Sequence, residues 1–540
     1  MSKANGTLTA MKSHTSLKLH DVARWMIAIS IAYLFVHALA VNLRPLLRIP
    51  GGGSFYTVPK MINLGIWSGL VLIAFLFTLQ RFDVRDVLRR LRSDALFIVY
   101  ALVLGLLLIA PFVVTRTPLQ FALFGFPFRF DGPWVILLSL LIMGAFARFV
   151  TLDARFIRWG VAAFLAVTVF TAIFAILQTR GVDVWAALGV YGLGALPPRT
   201  TLGNPAFASL IPAMGAIILA NLSTNSRVKG NLLLAIATIG TAAFLAFAAG
   251  SASSRSAVVG YWVVLAVWTL ASMVRSGSVR QALYPLLVTG ILIGSQALGG
   301  STNTYASGKF EALTDLVTGE GQDSSWETRI RFWTIAARAL QDQPFIPYGS
   351  GAFSIIMWEY ATPEETLDLY RMFVPEEYVE RTQRQENILF YTDDTGQQRA
   401  QRVNSDKIHN YILDIWFAYG FFPALALIAF IIALIARLVR ANTTVTWAVI
   451  SAGVVYGFFS MAWFPAVATD PIVFALLGIG WGAAERKLRD IPDDEAAFDD
   501  ADGEDVGEND RTFVQRGRQP RSRAEARRLQ REAAKKKRRR

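Results

Sequence analysis

The sequence predicts an all-α polytopic membrane protein, and three observations carry that expectation. Hydrophobic residues make up 54% of the 540-residue chain and charged residues only 17%. Mean hydropathy is +0.40, too apolar for a soluble multi-domain chain. Runs of about 20 apolar residues recur, each long enough to cross a hydrocarbon core of roughly 30 Å. Cysteine is absent, which excludes disulfides, thiolate metal sites and covalent haem attachment.

Taken in order, the runs predict about twelve spans. Residues 1–21 are polar, carry Lys3, Lys12 and Lys18, and suit a cytoplasmic leader. The first span, near 22–43, is too long for a signal peptide and is followed by many others. The second, near 61–80, runs into Arg81, Arg85, Arg89, Arg90 and Arg92. Clusters of that density stay in the cytoplasm. Counting from that anchor, spans fall near 95–115, 133–151, 157–178, 205–222, 231–249, 255–274 and 281–298, and again near 410–436, 445–464 and 468–484. Inward turns carry Arg148, Arg155 and Arg158, then Arg275, then Arg437 and Arg440. Both termini are therefore expected inside, with nine helices in 22–298 and three in 410–484.

Residues 299–409 form the one large extracytoplasmic segment. A structureless loop of that length is unusual, so a helical cap is expected, with helical periodicity in Glu327–Leu340 and Glu364–Phe373. Residues 485–540 turn acidic and then basic and are expected to be a disordered cytoplasmic tail, because like-charge runs bury too little apolar surface to fold. The basic end fits anionic membrane lipids. Nucleic acid is not expected as a partner of so deeply embedded a chain.

Four polar features fall on the outer side. His409 stands where a polar approach meets an apolar helix; of four histidines it alone has polar flanks at such a boundary. An imidazole exchanges protons near neutral pH, so His409 is a candidate general base; an interfacial residue that ends a loop, with Asn410 beside it, is the plainer reading. Arg199 precedes a Gly203-Asn204-Pro205 helix start, where backbone N–H groups favour anions. Arg255 opens an apolar helix among Ser253, Ser254 and Ser256; an arginine at the bilayer edge either snorkels or serves a site. Arg329 and Trp333 lie four apart, on one helix face, with Arg331 turned away. Arginines facing a single base suit a diphosphate-bearing substrate whose leaving group must be stabilised, because guanidinium forks match phosphate oxygens bidentately. Metal and cofactor are both expected to be absent: the outer histidine is single, and Asp393 and Asp394 sit in a turn-like setting.

The constellation resembles the bacterial O-antigen ligase and polymerase superfamily of polytopic glycosyltransferases. It is carried by Arg199 through Pro205, Ser254-Arg255, Arg329 through Trp333, Pro344 through Phe353, and His409 through Leu413 followed by Gly420. The His-Asn-Tyr-Ile-Leu stretch is similar to the ligase branch. The resemblance implies an inner-membrane enzyme with its active site facing the periplasm. It implies a donor glycan on undecaprenyl diphosphate, with the diphosphate on Arg199 and Arg255. It also implies that His409 activates an acceptor hydroxyl or positions the donor, that transfer inverts the anomeric centre, and that lipid A-core is the ligase acceptor. A repeat-unit polymerase shares the chemistry; a transporter or lipid flippase shares the span count. The stretch from Gly351 to His409 departs from the family by its length and by Glu359, Glu364, Glu365, Glu376, Glu377 and Glu380.

Overall fold

In a computed structural model the chain is helical through its apolar runs. The structure describes residues 22–41, 56–78, 84–114, 116–125, 132–187, 196–274, 279–302, 307, 324–385, 388–403 and 407–491. The leader and the charged tail beyond residue 491 lie outside the described residues. Nine of the described helices before the loop match the expected spans: α1 (Val22–Leu39), α2 (Thr57–Thr78), α3 (Ala95–Ile109), α4 (Pro133–Leu152), α5 (Arg155–Thr179), α6 (Pro205–Ser223), α7 (Leu232–Ala252), α8 (Arg255–Val274) and α9 (Val279–Ser301). The loop contributes α10 (Ser324–Asp342), α11 (Phe353–Tyr360) and α12 (Pro363–Phe373), and after it come α13 (Tyr411–Tyr419), α14 (Phe421–Ala441), α15 (Thr444–Ser460) and α16 (Asp470–Leu488).

Ten of the described helices are long and apolar enough to cross a membrane. The other two expected spans are α15, of 17 residues, and α16, whose last turn carries Arg486 and Lys487. The chain is thus an all-α polytopic membrane protein. The expected span at 410–436 is two helices, broken at Gly420, whose φ of +98° is open to glycine and costly for other residues.

Bundle contacts are close because small residues line them, as helices packed in lipid require. A Cβ on Gly478 or Gly482 of α16 would strike the carbonyls of Met143 or Ala147 on α4. Gly250 of α7 and Gly299 of α9 meet the backbones of Gln296 and Phe247 in the same way.

The loop has its own apolar core, formed by Phe332, Ile335, Tyr348, Phe353, Leu369 and Leu389 among others. The expected helices over 327–340 and 364–373 are present as α10 and α12. Arg338 grips Glu365 with both amino groups, at 2.6 and 2.8 Å, and Glu365 also closes the capping box with Thr362. Arg331 pairs with Asp368 at 2.7 Å. The expected helical cap also carries a small sheet. Strands β1 (Gln383–Gln385), β2 (Ile388–Thr392) and β3 (Gln398–Arg402) form an antiparallel sheet in the order β1-β2-β3. Asp393 closes the β2–β3 turn, accepting from Thr395 and from Arg399 at 2.7 Å. Those hydrogen bonds hold its carboxyl down at about 2.

α13 belongs to both cores. Tyr411, Ile415 and Ala418 enter the bundle, while Phe417 enters the loop core. The loop backbone grips the same helix: the Tyr348 N–H donates to the Phe417 carbonyl at 2.9 Å, and Trp416 Nε1 donates to the Pro344 carbonyl at 2.6 Å.

Candidate functional site

One end of the bundle is tied together by polar contacts between helix termini. Thr201 donates to the Ala38 carbonyl, the Thr200 N–H to Gln178, and Ser209 to the Ala249 carbonyl, each at 2.8 Å. His37 Nε2 meets the Val467 carbonyl at 3.0 Å, and Lys60 donates to the carbonyls of His37, Ala38 and Ala40. Asp470, buried at the start of α16, accepts from Tyr411 at 3.0 Å and from Tyr456 at 2.8 Å. A buried carboxylate in a membrane protein is affordable only with such partners.

His409 sits at this end, one residue before the cap of α13, in the left-handed region with φ of +60°. Two contacts pin the turn. Asn410 caps α13 by accepting from the Leu413 N–H at 3.1 Å, and Asp414 reaches back to accept from the Ile408 N–H at 3.1 Å. The imidazole is walled by rings: Phe332 stacks on it at 6.2 Å, Trp463 meets it edge-on at 6.0 Å and Phe464 at 5.3 Å. Its Nδ1 lies 3.1 Å from the Lys407 carbonyl. A carbonyl only accepts, so Nδ1 carries the hydrogen and the basic lone pair of the neutral ring is on Nε2.

Trp333 of α10 donates Nε1 to the His409 carbonyl at 3.4 Å, which places α10 beside the histidine. Arg329, one turn earlier on the same face, comes within electrostatic reach of Arg255 at the start of α8. Burial first, and then the Arg255 charge, hold the Arg329 guanidinium below the usual arginine range. Two partly buried guanidinium groups within electrostatic reach of one another repel, and a negative charge near both would relieve that repulsion.

Arg199 stands elsewhere, beside Tyr56. Burial raises the Tyr56 hydroxyl to about 12, with the Arg199 charge opposing the rise. Tyr56 packs on Gly203, where a Cβ would not fit. A cavity of about 230 Å³ lies there, lined by Tyr56, Lys60, Asn204, Phe207, Trp463 and Phe464, so its aromatic wall is shared with His409. Asn204 caps α6, accepting from the Ala206 N–H at 2.8 Å. The structure therefore brings Arg255, Arg329, Trp333, His409 and Asn410 together, sets Arg199 and Asn204 across the Trp463–Phe464 wall, and commits Arg331 to Asp368 within the loop.

Asp414, Trp463, Phe464 and Asp470 did not stand out in the sequence. A lone acid inside each of two apolar helices was the available signal for Asp414 and Asp470. Replacing Asp414 with alanine is expected to cut turnover at least tenfold while the chain inserts normally, because the Ile408 N–H loses its acceptor and the His409 turn loosens. Asparagine, which keeps the acceptor oxygen, should restore most of it; equal turnover in all three proteins would show that Asp414 does not position the histidine.

Fold and site together define a multi-pass membrane protein with paired arginines and a ring-walled histidine at one end. Residues 240–428 match the family model described as O-antigen ligase. The resemblance to the O-antigen ligase and polymerase superfamily is borne out over that span, about a third of the chain, and the ligase preference fits the description. The match includes Arg255, Arg329, Arg331, Trp333, His409 and Asn410, while Arg199 and Asn204 precede it. No curated protein matches the chain.

Proposed function

We propose that the protein transfers a glycan from an undecaprenyl-diphosphate carrier to an acceptor hydroxyl, lipid A-core in the ligase reading, on the periplasmic face of the bacterial inner membrane. The observation that carries the proposal is that Arg329 lies within electrostatic reach of Arg255 and shares its helix with Trp333, which contacts a histidine whose basic nitrogen is Nε2. The acceptor oxygen attacks the anomeric carbon from the face opposite the diphosphate. The new C–O bond forms as the bond to the diphosphate oxygen breaks, and that oxygen leaves with the electron pair. The acceptor proton goes to His409 Nε2. Arg255 and Arg329 neutralise the departing diphosphate, with Arg199 as a further contact to it, and the anomeric centre inverts. Both termini are cytoplasmic in this arrangement.

A transporter reading has less support. Among the described residues, the buried charged groups of the spanning helices, Lys60, Asp470, Glu485 and Arg486, lie at helix ends, whereas transporters place such groups near the midplane.

The test is a gene disruption read on a glycolipid gel. Loss of long-chain lipopolysaccharide with accumulation of carrier-linked polymer supports the ligase. Persistence of single-repeat attachment with loss of long chains identifies a polymerase, and an unchanged gel rejects lipid A-core as acceptor. Because arginines stand where other enzymes use a divalent ion, transfer by the purified protein is expected to survive a chelator undiminished; inhibition reversed by added metal would refute the arginine mechanism.

A further inference from the structure

A long apolar recess lies away from His409. It is a groove of about 800 Å³ between α2, α3, α4 and α16, and the short helix Val84–Ser93 closes one end. Its lining on α4 runs from Leu138 to Thr151, about 20 Å of helix. That is the depth of one leaflet and its head-group layer, for a hydrocarbon core roughly 30 Å thick.

The two ends of the groove differ in chemistry. Along the shaft the walls are apolar, and Leu72 and Leu141 are exposed to the surroundings of the bundle. Gly65 and Gly69 open directly onto free space, with no atom within 4 Å of where a Cβ would stand. At the other end are Arg89, Arg90 and Arg148. Glu485 also lines that end, but it is engaged by Arg437 at 3.0 Å and Arg489 at 2.7 Å. Three guanidinium groups over an apolar shaft are complementary to one kind of molecule, an amphiphile with a negative head.

These arginines sit where α2 and α4 end, whereas His409 sits by the helix termini at the opposite end of the bundle. The glycan-carrying lipid of the proposed reaction presents its diphosphate at the His409 end, so this groove serves a different lipid. We propose that it holds an anionic glycerophospholipid of the opposite leaflet, with an acyl chain along the Gly65–Gly69 wall and its phosphate on Arg89, Arg90 and Arg148. Basic pockets between spanning helices are known to select such head groups. Setting the carrier lipid aside rests on the transferase reading, whereas the match between the groove and an anionic head does not.

The experiment uses the purified full chain in mild detergent, incubated with equal amounts of phosphatidylglycerol and phosphatidylcholine and read by native mass spectrometry. The wild type is expected to retain phosphatidylglycerol at least tenfold over phosphatidylcholine. Arg89→Gln combined with Arg90→Gln should bring the two lipids close to parity. Gly69→Leu should fill the shaft and lose both. Arg89→Gln alone, at an exposed position, should lower the preference in part and serves where the double variant fails to fold. Equal retention by the wild type, a preference that survives the arginine variants, undiminished lipid in Gly69→Leu, or a dimer that excludes lipid would each overturn the proposal.

Discussion

Replacing His409 with alanine is expected to abolish glycan transfer, with residual turnover down by a factor of about 10²–10⁴, the usual worth of a placed general base. The protein should still insert and fold, because the rings that wall the imidazole keep other partners: Phe332 packs on Phe353, and Trp463 packs on Phe207 and Phe464. A left-handed residue at this position is better tolerated as histidine than as a β-branched side chain, so alanine keeps the turn while valine would also test the backbone. The pH profile separates a base from a spacer. Wild-type activity falls as acid protonates Nε2; in His409→Ala the residue of activity should lose that acid limb. Normal glycolipid in a strain carrying only His409→Ala would remove His409 from the chemistry.

Arg255→Lys is the second large effect, expected to lose a factor of about 10²–10³, comparable with removing one preorganised donor from a developing oxyanion. Lysine preserves the charge but not the planar pair of donors that meets two phosphate oxygens at once. It also sits at the first position of α8, where Ser254 accepts from the Val258 N–H at 2.9 Å, so the helix start is preserved. Arg255→Ala should be no more active than Arg255→Lys, and Arg329 should then be relieved of a neighbouring positive charge. If the lysine variant works at full rate, charge alone serves and the bidentate geometry assigned to Arg255 is wrong. Measuring both variants at saturating donor decides whether the loss is in binding or in the transition state.

The apolar runs were legible because length and hydropathy are local properties. The expected 133–151 and 255–274 became Pro133–Leu152 and Arg255–Val274. The break at Gly420 was not, since Trp416 and Phe417 are as apolar as the bundle residues around them, and only the loop they touch distinguishes them. The sheet was hidden for the opposite reason: β1 and β3 are built of Gln and Arg with one alanine, Ala400, none of which favours a strand, and pairing with Ile388–Thr392 organises them. In the site, the four-residue spacing of Arg329 and Trp333 was readable from one helix turn. The partners that complete the pocket were not. Trp463 and Phe464 follow His409 by more than fifty residues, and Asp470 joins helices that no local pattern links.

The seating of α13 has a bearing on how such a protein diversifies. The loop's hydrogen bonds to α13 and the His409 turn come from Trp333, Pro344 and Tyr348, all N-terminal to Phe353. The glutamates that give the loop its acidic character, from Glu359 to Glu380, all follow it. Apart from Glu365, which Arg338 of α10 grips, the acidic side chains and the residues that seat the His409 turn thus belong to separate stretches of chain. A scaffold built this way can be fitted to new surfaces by exchanging the exposed glutamates while Glu365 is kept as a fixed joint.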